Sequence, residues 1–324
     1  MSSTQTPFDK VLRSATEVLS AAPAVTVLCH TRPDADTIGS GLAIAAALRR
    51  LGTIVELSFA GPTELPTALA QLPGADLIMN ADDVVGHPVV VAVDCASIYR
   101  LESLSAVVEA ATHSIVIDHH VSNEGFGTIN YVDPQADCTA ELVLSIIDEL
   151  GVTVDLDMAT CIYAGVVTDT GSFKWGRSNS HLIAARMLDI GVDGRRWTRT
   201  LLDTHRFAWL AMVSAALQSA VLVESAFDGN GLVYAVVDHR SAAALGWEES
   251  ESVVDIVRTT AEAEVAVVFK EGSPGQWTVS MRAKSKVDLV PIALAHGGGG
   301  HQLAAGFGAS GTADEVVRQF LTSV

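Results

Sequence analysis

Charge and long apolar runs are both scarce in this sequence of 324 residues. Charged residues make up 18% of it, against a usual share of about 25%, and an apolar share of 49% excludes a disordered chain. The apolar runs end well before the ~18 residues that a membrane-spanning helix needs. The start, MSSTQTPFDK, lacks the basic residues and the hydrophobic stretch of a secretion signal. These absences predict a cytoplasmic protein with no membrane partner, and the length predicts two domains.

Cysteine is also rare, and no two cysteines form a CxxC pair. The four are Cys29, Cys95, Cys138 and Cys161. In a sequence without a secretion signal, free thiols are expected rather than disulfides.

Basic residues are too few for a protein that holds nucleic acid in a positively charged groove. There are 20 basic and 38 acidic residues, so the formal net charge is −18. This argues against a duplex nucleic acid as partner. It does not exclude a small phosphate ligand, because bound metal ions can supply positive charge. Residues 1–190 contain 9 basic and 23 acidic groups, so cation ligands are expected in this part of the chain.

Continuous apolar segments recur through the first part of the chain and indicate strands that are covered on both faces. Helical patterns lie between them, which predicts an α/β fold with a doubly wound, mainly parallel sheet. The predicted strands are residues 24–30, 53–60, 75–80, 88–95 and 113–118. The predicted helices are residues 38–51, 101–111, 139–150, 158–167 and 181–188.

A smaller C-terminal α/β domain is predicted after a glycine-containing boundary. The expected division is a first domain over residues 1–190, a linker over 191–204 and a second domain over 205–324. An amphipathic segment over residues 201–222 leads into the second domain. Its predicted strands are residues 232–239, 263–270 and 277–284, and its predicted helices are residues 252–263 and 288–295.

Polar side chains follow the first predicted strand in the segment His30-Thr31-Arg32-Pro33-Asp34-Ala35-Asp36. Sites in open α/β sheets form outside the carboxyl ends of the strands. Two carboxylates and a histidine this close together cannot all face a core. Asp36 could instead cap the helix that follows, although one cap would explain only one residue of the three.

Three further acidic or histidine segments follow apolar elements. Asp94 ends an all-apolar strand, Asp118-His119-His120 ends another, and Asp169 follows a helical run. Each has a plainer explanation when taken alone: a helix cap for Asp94, a surface pair for the histidines, and an ordinary turn for Asp169. Taken together, they place oxygen and nitrogen ligands at the ends of several apolar elements.

Six candidate ligands are too many for one ion that also binds a substrate, and they suit two ions ~3.5–4 Å apart. The candidates are His30, Asp34, Asp36, Asp94, His119 and Asp169. Mixed carboxylate and imidazole ligands favour Mn²⁺, Fe²⁺ or Zn²⁺ over Ca²⁺. We expect two divalent ions, with Mn²⁺ the preferred choice and Mg²⁺ or Co²⁺ as alternatives.

The ordered motifs HxxPDxD, strand-end Asp, Asp-His-His and TDTG resemble those of DHH-family phosphoesterases, and Gly297–His301 resembles the signature of the DHH-associated C-terminal domain. The whole resembles the branch of nanoRNases, pAp phosphatases and cyclic-di-AMP or pApA phosphodiesterases. The resemblance implies that the six candidates bind metal, that Asp94 bridges the two ions, and that His120 faces the substrate phosphate. Asp94 and His120 are therefore the expected catalytic residues. Asp118 is expected to support a ligand histidine.

The C-terminal motif has its own chemistry. Consecutive glycines let a backbone approach a ligand and present N–H groups to phosphate, although a flexible hinge would explain them too. Arg282 could clamp a phosphate with two hydrogen bonds. The resemblance implies that the second domain closes over the nucleotide across an inter-domain cleft that contains the active site. The expected substrate-binding residues are Arg282, Gly298, Gly299, Gly300 and His301.

The predicted function is metal-dependent hydrolysis of phosphoesters in short RNA, dinucleotides and phosphoadenosine compounds by a homodimer. The alternatives are an inorganic pyrophosphatase of the same superfamily, a nucleotide sensor without catalysis, and a tRNA-binding module, which the acidic composition disfavours. Trp175 could stack on a base, although core packing is the plainer expectation.

Overall fold

The computed structural model describes residues 6–61, 64–242, 245 and 247–324. The chain divides into two compact units, one that ends at Thr204 and one from His205 to Val324. The division falls where the second domain was predicted to begin. None of the described helices is long and apolar enough to cross a membrane.

The first unit contains a six-stranded sheet in the order β3-β2-β1-β4-β5-β6, in which every neighbouring pair is parallel. Its strands are β1 Ala24–Cys29, β2 Ile54–Phe59, β3 Ile78–Met79, β4 Val89–Val93, β5 His113–Asp118 and β6 Ile129–Val132. The predicted doubly wound parallel sheet is confirmed. Because the strand order reverses between β1 and β4, a crevice is expected at the carboxyl ends of these two neighbours.

Helices cover both faces of this sheet, since its strands are apolar on both sides. The helices are α1 Pro7–Ala21, α2 Ala35–Arg50, α3 Ser105–Ala110, α4 Thr139–Glu149, α5 Leu156–Asp169, α6 Ser178–Ile190 and α7 Gly194–Leu202. Short 3-10 turns cover Leu69–Gln71, Ala75–Leu77, Ala81–Asp83 and Ile98–Leu104. One face packs against α2, α4 and α5, and the other against Ile98–Leu104 and α3.

Two predicted elements of the first unit differ from the structure. The strand expected over residues 75–80 begins as a 3-10 turn, and only Ile78–Met79 pairs with β2. Most of the segment expected as a linker forms α7, and its Trp197 is buried in the core of the first unit. Asp193 caps this helix by accepting a hydrogen bond from Arg196 N at 2.9 Å.

The second unit has a mixed sheet in the order β11-β12-β10-β9-β8-β7. Its strands are β7 Val221–Val223, β8 Leu232–Val237, β9 Val265–Ser273, β10 Gln276–Ala283, β11 Gly299–His301 and β12 Ala304–Ser310. Its helices are α8 Phe207–Gln218, α9 Ala226–Gly229, α10 His239–Ala242, α11 Val253–Val257, α12 Val290–Ala295 and α13 Ala313–Leu321, with a 3-10 turn at Trp247–Ser250. Among the described strands of this sheet, β8 and β9 pair in parallel and the other neighbours pair antiparallel. The second α/β domain is thus confirmed.

Candidate metal centre

The ends of β1 and β4 place two polar side chains in the crevice where the strand order reverses. His30 directly follows β1 and Asp94 directly follows β4. Both side chains are buried, and His30 Nε2 lies 3.2 Å from Asp94 Oδ2. The hydroxyl of Thr37 holds the two strand ends together, since it donates to the Val93 carbonyl at 3.1 Å and accepts from His30 N at 3.3 Å.

The first ligand group consists of His30, Asp34 and Asp94. Asp34 is the N-cap of α2: its Oδ1 accepts hydrogen bonds from the N–H groups of Asp36 and Thr37, and its Oδ2 lies 3.5 Å from His30 Nε2. The ring Nδ1 of His30 donates to the Thr31 carbonyl at 2.8 Å. That bond leaves Nε2 directed at the two carboxylates, as a ligand nitrogen requires.

The second group consists of Asp36, Asp94 and His119, with Asp169 beside it. His119 Nε2 lies 3.9 Å from Asp36 Oδ2, 3.6 Å from Asp94 Oδ1 and 3.3 Å from Asp169 Oδ2. The Nδ1 of His119 faces the Ala136 carbonyl at 3.3 Å. Asp169 is the last residue of α5.

Asp36 does not cap its own helix, so that alternative is wrong. Its two carboxylate oxygens accept hydrogen bonds from the first N–H groups of a different helix, α4: Thr139 N at 2.6 Å and Ala140 N at 2.9 Å. A carboxylate is favourable at a helix N-terminus, because the N–H groups there carry partial positive charge. Asp36 therefore lines the site and also holds the N-terminus of α4 beside it.

Asp94 belongs to both groups. Its Oδ2 faces His30 and its Oδ1 faces His119, while the Thr139 hydroxyl donates to Oδ1 at 2.9 Å. The backbone of Asp94 has a φ of 59°, a left-handed conformation that non-glycine residues adopt at a cost and that clusters at functional sites. The helix-cap alternative for Asp94 is wrong, since Ser97 is the residue that precedes the next 3-10 turn.

His120 points away from its neighbour and has a different environment. The two histidine rings meet edge to face at 68°. The Nδ1 of His120 lies 2.7 Å from Asp118 Oδ1, and the side-chain amide of Asn123 donates to Asp118 Oδ2 at 2.6 Å and to the Cys95 carbonyl at 3.0 Å. Asp118 thus orients His120, the histidine expected to face phosphate, so the expectation that Asp118 supports a ligand histidine is wrong. The roles of Asn123 and Thr139 depend on tertiary contacts, so no local pattern in the sequence predicts them.

The pKa values of the four carboxylates shift in two directions. The neighbouring histidines lower the pKa of Asp34 and of Asp94 despite their burial. Burial, together with the charges of Asp169 and Asp94, raises the pKa of Asp36 well above its usual value. Burial also raises the pKa of Asp169 to about 6. Burial alone would lower the pKa of His30, but Asp34 and Asp94 raise it to about 9. The group favours added positive charge, and its carboxylate and imidazole donors fit divalent metal ions.

Two family models match this chain. One is described as the DHH family, N-terminal domain, and matches residues 24–166; the other is described as the DHHA1 domain and matches residues 229–324. The bifunctional oligoribonuclease and PAP phosphatase NrnA of Thermus thermophilus is 32% identical over 302 residues, which are 91% of this chain and 87% of that protein. The chain belongs to the DHH family of phosphoesterases.

Two more comparisons extend the family assignment to the whole fold. The probable bifunctional oligoribonuclease and PAP phosphatase NrnA of Streptococcus mutans is 25% identical over 89% of this DHH-family chain and 90% of its own length. The crystal structure of an exopolyphosphatase-related protein from Bacteroides fragilis has the same fold, with a TM-score of 0.84 and 24% identity, over 100% of this chain and 98% of that one. The family predicted from the motifs is confirmed.

The glycines of the DHHA1 domain belong to its sheet and do not form a free hinge. Gly299 and Gly300 lie in β11, which pairs antiparallel with β12. A Cβ atom at Gly298 would lie 2.0 Å from the Gly306 carbonyl oxygen, and one at Gly300, where φ is 139°, would lie 2.5 Å from the Ala304 carbonyl oxygen. Close approach of two strands therefore requires glycine at both positions.

The strand register places Arg282 and His301 on one face of this sheet. Ala304 of β12 is the partner of Arg282 on one side and of His301 on the other. Directly opposed residues of antiparallel strands point to the same face, so Arg282 and His301 stand in one row with a small residue between them. Arg282 Nη1 donates to the Met281 carbonyl at 3.0 Å. The row brings together two of the predicted phosphate contacts.

Replacing Asp169 with asparagine is expected to raise the Tm of the metal-free DHH protein by several degrees. The raised pKa of Asp169 means that ionisation of its carboxylate opposes folding, by at most about 3 kcal/mol. This penalty is present in full above pH about 6 and disappears as the pH falls toward 4. Thermal unfolding in a chelating buffer at pH 7 measures the effect, with the exposed Asp157→Asn as control. In excess Mn²⁺ the wild type should have the higher Tm, because the ion stabilises only the protein that binds it. A lower Tm for Asp169→Asn in chelator would contradict the argument.

Proposed function

We propose that this DHH-family protein hydrolyses phosphoester bonds in short nucleotides, namely oligoribonucleotides, pAp and pApA, with cyclic-di-AMP as a further candidate. The observation that carries the proposal is the position of Asp94, which presents one oxygen to each of two ligand groups at the reversal point of the sheet. Two ions held this way are typical of phosphoryl hydrolases. The names of the relatives from Thermus thermophilus and Streptococcus mutans support the substrate class.

In this proposal, His30, Asp34 and Asp94 would hold one ion, and Asp36, Asp94, His119 and Asp169 would hold the other. Two divalent ions, with Mn²⁺ preferred over Mg²⁺ or Co²⁺, would lower the pKa of a bound water and neutralise phosphoryl oxygens. The chain's own contribution is to fix the ligands before substrate arrives. The N–H groups of α4 orient Asp36, the Thr139 hydroxyl orients Asp94, and backbone carbonyls orient both histidines. Fixed donors of this kind need no rearrangement during the reaction.

His120 is assigned to the substrate. Because its Nδ1 is held by Asp118 at 2.7 Å, the opposite ring nitrogen, Nε2, is the atom that would hydrogen bond to a phosphoryl oxygen or pass a proton to a leaving oxygen. A carboxylate behind an imidazole fixes the tautomer and stabilises the protonated ring. Asn123 in turn fixes Asp118 through a 2.6 Å hydrogen bond. Asp94 and His120 are the catalytic residues of the proposal.

The DHHA1 domain is proposed to bind a second phosphate of the substrate. Arg282 and His301 stand in one row of the sheet, and a guanidinium beside an imidazole suits a terminal phosphate. The glycines Gly298, Gly299 and Gly300 directly precede His301, and their backbone N–H groups are proposed to contact the same phosphate. The acidic composition supports short substrates and disfavours duplexes.

Removing either Arg282 or His301 is expected to reduce kcat/KM most for substrates with a terminal phosphate. Loss of one charged hydrogen bond costs ~1.5–3 kcal/mol, which corresponds to roughly 10- to 150-fold in kcat/KM. The measurement compares Arg282→Ala and His301→Ala on pApA and on bis-p-nitrophenyl phosphate, which has no second phosphate. Metal content serves as the control. Equal losses on both substrates would mean that these residues support folding or chemistry in general.

The function is tested with a panel of substrates. Purified protein is assayed on pAp, pApA, cyclic-di-AMP, a short RNA and pyrophosphate, each with Mn²⁺, Mg²⁺ or Co²⁺ and with a chelator as the blank. Hydrolysis of at least one nucleotide, lost in the chelator, is expected. Turnover of pyrophosphate alone would establish the pyrophosphatase alternative. Nucleotide binding without turnover would establish the sensor alternative.

A homodimer in the cytoplasm completes the proposal. Residues 207–223 contain no charged side chain, and Phe207, Leu210 and Leu217 of α8 are exposed, as are Val221 and Leu222 of β7. A neutral apolar face lets two copies of a strongly acidic chain meet without repulsion. The four buried cysteines are free thiols, which supports a reducing compartment. Light scattering measures the mass in solution.

A further inference from the structure

The segment that follows Asp169 has an uncommon backbone. Gly171, Ser172 and Phe173 have consecutive left-handed φ values of 54°, 57° and 65°. Left-handed conformations are costly for Ser172 and Phe173, which have side chains, and they persist only when the surroundings enforce them. Here the buried Thr170 enforces them, since its hydroxyl accepts from Phe173 N at 3.1 Å and donates to the Val166 carbonyl at 2.6 Å.

This turn brings Trp175 back over the end of α5. The indole Nε1 donates to the backbone carbonyl of Asp169 at 2.6 Å. The six-membered ring lies against Gly171, where a Cβ atom would come within 2.1 Å of it. Glycine is therefore required at 171 both for its φ and for the space that the indole occupies.

Trp175 is 42% exposed, so the expectation of core packing is wrong. A single exposed apolar side chain is ordinary on a protein surface, but this ring is held by its own hydrogen bond to the residue that also lines the candidate metal centre. The turn holds the ring in place by its N–H group and by Gly171, and keeps part of it in solvent. That arrangement suits a surface that receives a flat ligand.

The position of the ring fits a nucleotide. The carboxylate of Asp169, whose carbonyl holds the indole, lies 3.3 Å from His119 Nε2 in the candidate metal centre. A base is separated from its phosphate by one sugar. A phosphate at the centre would therefore place its base within reach of the indole. Stacking on an aromatic ring tolerates any base, because every base has a π-face.

We propose that Trp175 is the base-stacking platform of the first unit and binds the nucleobase of the nucleotide whose phosphate lies at the metal centre. The inference rests on the proposed function and adds a specificity element to it. It predicts a preference for substrates with a base over substrates without one, and little discrimination among bases.

The test compares AMP with ribose 5-phosphate, which is the same molecule without its base. Binding of each to the full-length, Mn²⁺-loaded protein is measured by calorimetry for the wild type, Trp175→Ala and Trp175→Phe. The exposed apolar side chain of Leu182 in α6 provides a control as Leu182→Ala. Metal content is measured for every variant, because the indole also touches the backbone of Asp169.

Trp175→Ala is expected to weaken AMP binding about 5- to 150-fold and to leave ribose 5-phosphate binding unchanged. Trp175→Phe should retain most of the affinity for AMP, since it keeps a ring and loses only the N–H group. The proposal would be overturned if Trp175→Ala weakened the binding of AMP and of ribose 5-phosphate equally. It would also be overturned if Trp175→Ala and Trp175→Phe lost metal and AMP affinity to the same extent. Either result would mean that Trp175 supports Asp169. If the substrate panel shows no hydrolysis but AMP binding still depends on Trp175, the proposed function fails and the stacking platform stands.

Discussion

Replacing Asp94 is expected to abolish turnover and to reduce the metal content of the protein. Asp94 is the one side chain common to both ligand groups, with an oxygen 3.2 Å from His30 Nε2 and the other 3.6 Å from His119 Nε2. Metal ions supply several kcal/mol of transition-state stabilisation to phosphoryl hydrolysis, so a loss of at least about 1000-fold in kcat/KM is expected. Elemental analysis of metal bound per chain, together with kcat/KM on pApA with Mn²⁺, measures both effects.

The choice of variant matters at this position, because φ is 59° at Asp94. Alanine is strained in that conformation, whereas asparagine tolerates it. Asp94→Asn therefore keeps the backbone and the hydrogen bond from Thr139 while removing the charge. Asp94→Ala adds a folding defect, which thermal unfolding would reveal. The exposed Asp76→Ala is the control. If Asp94→Asn retained full Mn²⁺ content and activity, the dinuclear hypothesis would be wrong.

Substitutions of the two adjacent histidines, His119 and His120, are expected to have different effects. His119→Ala should lose metal, since its Nε2 faces Asp36, Asp94 and Asp169. His120→Ala should keep its metal and lose about 10²- to 10⁴-fold in kcat, the usual contribution of a positioned acid or base. Metal analysis and steady-state kinetics on the two purified proteins separate the effects. Equal metal loss in both would refute the division of roles.

Asp118 provides a matched check on this division. It contacts His120 at 2.7 Å, and Asp118→Asn would keep the shape while changing the partner that holds the Nδ1 proton of His120. We expect this variant to follow the His120 pattern, with metal retained and kcat reduced. A variant that followed the His119 pattern would place Asp118 in the metal centre.

The sequence predicted that the candidate ligands would lie close together, because they lie next to strong local signals. The continuous apolar runs that became β1, β4 and β5 end beside His30, Asp94 and His119, and parallel strands share one carboxyl edge. The contacts that fix those ligands were not predictable in this way. Asp36 and Thr139 are 103 residues apart, and only the folded chain brings them together.

Two elements of the second unit were predicted wrongly or not at all, and both differences have local causes. The helix predicted over residues 252–263 ends at Val257 because the hydroxyls of Thr259 and Thr260 bond back to the carbonyls of Ile256 and Val257. Such bonds compete with helix continuation. Strand β11 was missed because glycine is rare in strands, and here it is required by close contact with β12.

The reversed strand order sets when during synthesis this protein could take up metal. His30 is translated early, directly after β1. The strand β4, which pairs with β1 in the sheet, is translated only after β2 and β3. Until Asp94 and then His119 have been translated, His30, Asp34 and Asp36 lack both the shared carboxylate and the second histidine of the centre. The last proposed ligand, Asp169, still belongs to the first unit. A ribosome-bound chain that ends after α7 would therefore carry every proposed ligand, and metallation could precede the folding of the DHHA1 domain.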